Sequence, residues 1–323
     1  MPFKPRCAAP TSLVRPVPVD QQGKEGPTPA QARGPRWRRT SPGLYVPATT
    51  DAELVEQRIL EQASRLPEGG VVGGWAALRL AGGGFFDGLA RDGRTPLDVP
   101  LIVPPGRSLR RLPGCQVVRE KVVRAEIVTL QGMPCAHPVR AAYDEARRAT
   151  DLRAAVVVLD MVLVARLATL ENLTTYFTGR RKMSGCSQAR EALRWCDARS
   201  LSPEESDLRL VWEIDAGLPR PRCNWPVSDL AGTSLGMPDL LSVELGVVGE
   251  YDGGEHRFGS RRAVDADRLE RFRDAGLESF VVVGAERHDR ARVVAKMHAA
   301  VRRAQDRPRG WMIAVDPPPL RID

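Results

Sequence analysis

Apolar residues three and four positions apart recur along much of the chain and predict amphipathic helices. The predicted helices cover residues 51–66, 139–150, 152–164, 169–178, 187–196, 202–216, 264–275 and 289–304. Short apolar runs punctuated by glycine and proline predict small antiparallel β-structure over residues 69–130. Two β-prone runs around Ser41-Pro-Gly43 predict a hairpin over residues 36–47.

The last 120 residues combine both kinds of pattern. Residues 235–243 and 246–252 are apolar stretches joined by a short link, which predicts adjacent strands of a hairpin. Residues 279–283 predict a buried strand, and Gly217 and Gly276 mark helix ends. The order helix, strand, strand, helix, strand, helix is typical of an α/β (mixed α+β) domain.

Composition narrows the class of protein. At 323 residues, with 42% hydrophobic and 27% charged residues, the chain has the length of about two domains and is not wholly disordered. It has no apolar run of membrane-spanning length and no apolar segment behind its basic start, so we expect neither membrane attachment nor a signal peptide. Six cysteines without a C-x-x-C pair indicate neither a disulfide scaffold nor a zinc motif. We therefore expect a cytoplasmic protein.

Positive charge is concentrated near the N-terminus. The formal net charge is +8, and residues 1–40 hold eight basic residues against two acidic ones. This proline-rich arm suits phosphate contacts, although a solvated, disordered tail has the same composition. On the hairpin, Arg36, Arg38 and Arg39 are the candidates for contact with a DNA backbone.

Three carboxylates mark the predicted strand pair of the last domain. Asp239 is placed in the first strand, whereas Glu250 and Asp252 occupy alternate positions of the second and so share a face. Such a group is unfavourable unless a cation neutralises it, and hard ions such as Mg²⁺ or Mn²⁺ prefer carboxylate ligands. A metal site of this kind can activate water and stabilise the leaving oxygen of a phosphodiester. Glu205, near the start of the preceding helix, is a candidate fourth acid.

Most of these acids also have a structural interpretation. Glu205 follows Ser202 by three positions, and its alternative role is to complete a capping box. Asp239 after a proline would be a strand-entry turn residue, and Asp252 before two glycines is more typical of a turn than of a ligand. Glu250 lies within an apolar strand, where an unpaired carboxylate is costly.

Residues 199–305 resemble the DUF559 branch of the restriction-endonuclease-like superfamily, which is related to the very-short-patch repair endonucleases. The resemblance rests on Ser202-Pro-Glu-Glu-Ser206, Leu208-Arg209, Pro238-Asp239, Gly249-Glu-Tyr-Asp-Gly253, His256-Arg257, Asp265, Asp267-Arg268 and Gly276-Leu277. It implies a PD-(D/E)xK core that binds Mg²⁺ and cuts DNA. Asp239 and Glu250 would then be the metal ligands and Glu205 an accessory acid.

The chain departs from that superfamily at one position. Asp252 stands where many members have lysine, and no lysine occurs between Lys182 and Lys296. The DUF559-like branch often has an acid there. His256 is then a candidate general acid or base, with a partly exposed turn residue as its alternative. Arg257 and Arg268 are candidates for stabilising the negative charge of a phosphate; the alternative is that each lies on a solvated helix or loop face.

Upstream, Val72-Gly-Gly-Trp75-Ala-Ala-Leu78 and residues 138–173 resemble type IV antitoxin (AbiEi-like) proteins, and the hairpin is similar to the wing of their winged helix. The predicted organisation is a basic arm at 1–49, an AbiEi-like domain at 50–198 and a restriction-endonuclease-like domain with a tail at 199–323. The expected function is Mg²⁺-dependent cleavage of DNA. The alternatives are a non-enzymatic, antitoxin-type DNA-binding regulator with a toxin partner, and a protein-interaction module.

Overall fold

The computed structural model describes residues 4–10, 12–180, 182–253 and 260–316. Its strands are β1 (Val17–Pro18), β2 (Trp37–Ser41), β3 (Leu44–Pro47), β4 (Val71–Val72), β5 (Val99–Val103), β6 (Cys115–Arg119), β7 (Ile127–Leu130), β8 (Met133–Ala136), β9 (Arg222–Cys223), β10 (Val227–Asp229), β11 (Ser234–Gly236), β12 (Leu240–Ser242), β13 (Val247–Asp252), β14 (Glu278–Val283) and β15 (Trp311–Ile313). Its helices are α1 (Val55–Ala63), α2 (Gly74–Leu80), α3 (Pro138–Arg148), α4 (Leu152–Val164), α5 (Leu170–Thr178), α6 (Cys186–Trp195), α7 (Pro203–Leu210), α8 (Ser260–Asp274) and α9 (Arg290–Ala304). This content confirms the predicted mixed α/β class. Within the described ranges, every helix is too short or too polar to cross a membrane.

Packing divides the chain into two compact units. The upstream unit comprises Lys4–Thr150 and Ala165–Arg190, and the downstream unit comprises Asp151–Val164 and the chain from Glu191 onward. Helix α4 therefore packs with the C-terminal part of the chain, although it precedes α5 in sequence. The domain boundaries at residues 49 and 198 stay predictions.

The upstream unit contains the predicted hairpin and a larger mixed sheet. Strands β2 and β3 pair antiparallel, with Trp37 opposite Pro47, which confirms the hairpin over residues 36–47. The larger sheet has the order β6-β5-β4-β8-β7. The antiparallel pairing predicted over residues 69–130 is confirmed for β4–β5 and is wrong for β5–β6, which is parallel, as is β4–β8. Short apolar runs reveal strands, but the connections between them decide the direction of pairing.

Trp75 is a core residue of the upstream unit. It lies in α2, is 5% exposed, and its indole Nε1 donates a hydrogen bond of 3.0 Å to the carbonyl of Asp98. A buried indole whose one donor is satisfied in this way stabilises the core and offers no surface for stacking on a base.

The downstream unit is built on a sheet of order β14-β13-β12-β9. The β12–β13 pair is antiparallel, which confirms the predicted hairpin at this point, whereas β13 and β14 run parallel. Helices α7 and α9 cover one face, where Trp212 stacks on Phe280 at 5.8 Å. Helix α8 and a small sheet of order β11-β10-β15 cover the other, around Phe272 and Trp311.

One predicted strand is divided in two. Residues 235–243 form β11 and β12, which belong to different sheets. Gly236, with a φ of 137°, and Pro238, which has no N–H to donate to a ladder, lie at the break. The apolar pattern runs through this break because both pieces are buried. The break matters because it places Asp239 in the bend that leads into β12.

Candidate functional site

The strand register places two of the predicted acids opposite each other. Leu240 of β12 pairs with Gly249 of β13, and continuing that register by one residue sets Asp239 against Glu250. The carboxylate of Asp239 is held there, since its Oδ2 accepts a hydrogen bond of 2.7 Å from the N–H of Tyr251. The prediction that Asp239 lies within a strand is wrong, and its alternative as a strand-entry residue is confirmed.

Glu205 reaches the same end of the sheet from helix α7. Ser202 caps this helix by accepting from the N–H of Glu205 at 3.2 Å. The carboxylate of Glu205 does not complete a capping box with Ser202. Its Oε2 instead accepts from the N–H of Leu201 at 2.8 Å and from the amide Nδ2 of Asn224 at 2.6 Å. The predicted capping box is therefore half formed: Ser202 caps the helix, whereas the carboxylate of Glu205 bonds to Leu201 and Asn224.

Burial and the charge of Asp239 both act on the carboxyl group of Glu205. Burial raises the pKa of Glu205 most, and the negative charge of Asp239 raises it further, to about 8. The hydrogen bond from Asn224 acts in the opposite direction but does not offset these two effects. At neutral pH, Glu205 is therefore largely protonated in the absence of a cation.

Glu250 is paired with an arginine. It is 7% exposed, and its Oε2 accepts from Nη2 of Arg268 at 2.8 Å. Val248 of the same strand packs against Phe272 of α8, so alternation along β13 directs Glu250 toward that helix too. The free-energy cost of burying the Glu250 carboxylate in an apolar strand is thus reduced by its ion pair with Arg268 of α8. Arg268 contacts this acid and is not simply on a solvated face.

Asp252 is the last residue of β13, opposite Val283 of β14. It lies two positions after Glu250 and so shares its face of the sheet. Asp252 ends the strand, and the segment after Gly253 lies outside the described residues, so the turn interpretation stays a prediction. His256 and Arg257 lie outside the described residues, and their proposed roles stay predictions.

The described acids do not form a closed metal-binding cage. Among residues 4–10, 12–180, 182–253 and 260–316, no group of three or more histidine, cysteine, aspartate or glutamate side chains has the arrangement of metal ligands. Mg²⁺, however, is usually held by one or two carboxylates and completes its shell with water. The proximity of Glu205 and Asp239, seen in the raised pKa of Glu205, is the kind of repulsion that a bound cation relieves.

Two of the three arginines predicted on the hairpin to contact DNA are exposed. Arg38 forms two hydrogen bonds, of 3.0 and 2.6 Å, with the carboxylate of Glu61 in α1. This pairing favours a structural role for Arg38. Arg36 and Arg39 are exposed, and Arg39 also donates to the carbonyl of Ser41 at 3.2 Å.

Asn224 was missed by the sequence analysis. It is 3% exposed, follows β9 directly and contacts Glu205. The sequence carries only a weak signal for this role. Asn224 precedes Trp225-Pro226 in a segment without helical or strand periodicity, which indicates a turn but not a contact with Glu205.

The downstream unit is thus a mixed α/β domain with carboxylates gathered at one end of its main sheet. No family model matches the chain. Two curated relatives, Uncharacterized protein MT2308 of Mycobacterium tuberculosis strain CDC 1551 / Oshkosh and Uncharacterized protein Rv2248 of strain ATCC 25618 / H37Rv, are each 26% identical over 206 residues, which is 63% of this chain and 74% of the relative. The crystal structure of RV2827C protein from Mycobacterium tuberculosis is similar at 16% identity with a TM-score of 0.32, over 53% of this chain and 64% of that one.

Proposed function

We propose that the protein is a Mg²⁺- or Mn²⁺-dependent endonuclease that hydrolyses phosphodiester bonds of DNA, in DNA repair or phage defence. The observation that carries the proposal is the pair of Glu205 and Asp239, whose charges interact at one end of a mixed sheet where the strand register sets Glu250 against Asp239. The resemblance of residues 199–305 to the DUF559 branch supports it, because the acids named by that resemblance are these three.

Asp239 and Glu250 are the residues that would hold the cation. Once bound, such an ion supplies electrostatic stabilisation of the phosphodiester oxygens and a more acidic water. Glu205 holds a proton at neutral pH and can exchange it near pH 8, which suits proton transfer at the site. Asp252 and His256 complete the proposed catalytic set as further acid and proton-transfer groups.

The arginines are proposed to contact the phosphates of the DNA backbone. Arg268 brings a guanidinium to within 2.8 Å of Glu250, where it can neutralise an incoming phosphate or the carboxylate. Arg257 is proposed to act beside it. Arg36 and Arg39 are exposed on the hairpin and suit sequence-independent phosphate contacts.

The test is cleavage of plasmid, mismatched and branched DNA with Mg²⁺ or Mn²⁺. We expect Glu250→Gln to lower the rate by at least about 100-fold, since it removes a proposed metal ligand. The matched control is Glu270→Gln, an exposed acid on α8, which should cut like the wild type. Both variants should keep the wild-type fold and DNA affinity.

The same experiment distinguishes the regulator alternative. If the wild type leaves all DNA intact but binds it with a strong salt dependence, the nuclease proposal is refuted. Loss of that binding on replacing Arg36 and Arg39 by glutamine would then favour a DNA-binding regulator. A toxin partner is part of that regulator alternative. If DNA is neither cut nor bound, both proposals fail.

A further inference from the structure

The backbone of Asn224 has a conformation that is uncommon for a residue with a side chain. Its φ is 46°, in the left-handed region, and it is nearly fully buried. Asparagine tolerates this region better than most residues, although it still carries strain. Strain of this kind persists where the surrounding contacts hold it in place, and it is concentrated at functional sites.

Asn224 contacts both Glu205 and Asp239. Its side-chain amide donates to the carbonyl of Arg199 at 2.7 Å and to Glu205 Oε2 at 2.6 Å. Both partners are acceptors, so the NH₂ group must face them, and the orientation of the amide is fixed. Its backbone N–H donates to the carbonyl of Asp239 at 3.2 Å. One residue therefore links the acid of α7 to the acid at the entry of β12.

A second connection fixes Asn224 itself. The guanidinium of Arg199 donates to the carbonyl of Asn224 at 2.6 Å and to that of Cys223 at 3.2 Å. Arg199 and Asn224 thus hold each other by reciprocal hydrogen bonds. Because this clamp uses the main chain on both sides, Asn224 can orient Glu205 without moving when the charge of the site changes.

We propose that Asn224 is a positioning residue, which holds the carboxyl group of Glu205 beside Asp239, so that it faces the divalent cation that Asp239 and Glu250 would bind. The inference rests on the proposed function and goes beyond it, because it assigns the orientation of Glu205 to a residue outside the acidic set. Hydrogen-bond partners of metal-binding carboxylates commonly control affinity and activity in this way.

The test is Asn224→Gly, with Mn²⁺ affinity and DNA cleavage measured separately. Glycine adopts a positive φ freely, so this change keeps the backbone and removes only the amide. The matched control is Asp306→Gly, which also replaces a residue with a positive φ, of 65°. Asp306 follows α9 near Arg303 and Arg307, which contact Glu278 at the end of the sheet remote from Asp252.

We expect Asn224→Gly to weaken Mn²⁺ binding about tenfold and to lower kcat by a similar factor, with an unchanged KM for DNA. Asp306→Gly should match the wild type in all three. A purely structural role of Asn224 would lower the melting temperature and leave the Mn²⁺ affinity unchanged. Wild-type affinity and kcat in the glycine variant would overturn the inference while the nuclease proposal stands.

Two further outcomes are decisive. If the wild type neither binds Mn²⁺ nor cuts DNA, the nuclease proposal fails and the inference fails with it. If Asn224→Gly does not fold, Asn224→Asp keeps the size and the tolerance of positive φ but replaces the N–H donor with an oxygen. A folded aspartate variant with wild-type kcat and Mn²⁺ affinity would overturn the inference, and a reduced kcat at unchanged KM would support it.

Discussion

Replacing Glu205 by glutamine should stabilise the cation-free protein at alkaline pH. Glu205 is a largely buried carboxylate beside Asp239, so its charged form is disfavoured in the folded state. Glutamine has the same shape, carries no charge and keeps an oxygen that can accept from Leu201 and Asn224. The substitution therefore removes the unfavourable charge and preserves the hydrogen bonds.

The magnitude follows from the change in pKa on folding. The pKa of Glu205 is about 8 in the folded protein against 4.5 for an ordinary glutamate, and each unit corresponds to about 1.4 kcal/mol. Between these two values the folded state binds more protons than the unfolded state, so stability falls as the pH rises. This contribution is fully present below pH 4.5 and is lost as the pH passes through about 8. The loss has an upper limit of about 5 kcal/mol.

The assay is urea unfolding with a chelator present, followed by tryptophan fluorescence, to which Trp212 in the core of the downstream unit contributes. At pH 8.5 we expect Glu205→Gln to be more stable than the wild type by about 2–5 kcal/mol, and at pH 4.5 by less than about 1 kcal/mol. The control is Glu204→Gln in the same helical turn, whose ion pair with Arg287 is partly exposed and worth about 1 kcal/mol or less.

Two results would contradict this reasoning. A glutamine variant that is no more stable than the wild type at pH 8.5 would mean that the charge of Glu205 costs nothing in the fold. A stabilisation that is equal at both pH values would mean that it has a cause other than ionisation. Added Mg²⁺ should raise the stability of the wild type more than that of the variant, because it neutralises the charge that glutamine lacks.

Three other predictions concern stability and reactivity. Arg209→Met should cost about 3–5 kcal/mol in thermal unfolding, because it leaves the fully buried Asp160 without its ion-pair partner at 2.8 Å; a loss below about 1 kcal/mol would contradict this. Gly249→Ala should cost about 1–3 kcal/mol, because its Cβ would lie 2.4 Å from the ring of Phe280, and Phe280→Leu in the same chain should recover part of the loss. Burial raises the pKa of Cys135 to about 12, so iodoacetamide should label this thiol only after unfolding, which mass spectrometry of the digested protein measures.

The sequence predicted most of the downstream elements because their signals are local. The periodicity of α9, the capping Ser202 and the positive-φ Gly276 just after α8 each act within a few residues. The approach of Asp239 to Glu250 was also predictable, since two short strands with a brief link pair antiparallel.

What the sequence did not predict depends on contacts between distant segments. The pairing of Glu250 with Arg268 joins a strand to a helix 18 residues further on. The contact of Asn224 with Glu205 spans 19 residues and needs a left-handed backbone. Parallel pairing of β4 with β8 likewise depends on the path of the whole intervening chain. No local pattern of apolar positions contains this information.

These long-range contacts offset the negative charge of the acids. Glu250 has the guanidinium of Arg268, and Glu205 retains a proton at neutral pH. The arginine compensates the charge of Glu250 but is held beside the strand. The proton on Glu205 is retained because burial and the charge of Asp239 disfavour its loss. A divalent cation can replace both, since it neutralises two carboxylates at once and leaves Arg268 available for a phosphate. Neutral side chains of the same shape would avoid these costs, so the charge at this end of the sheet is the feature for which the proposed cation site accounts.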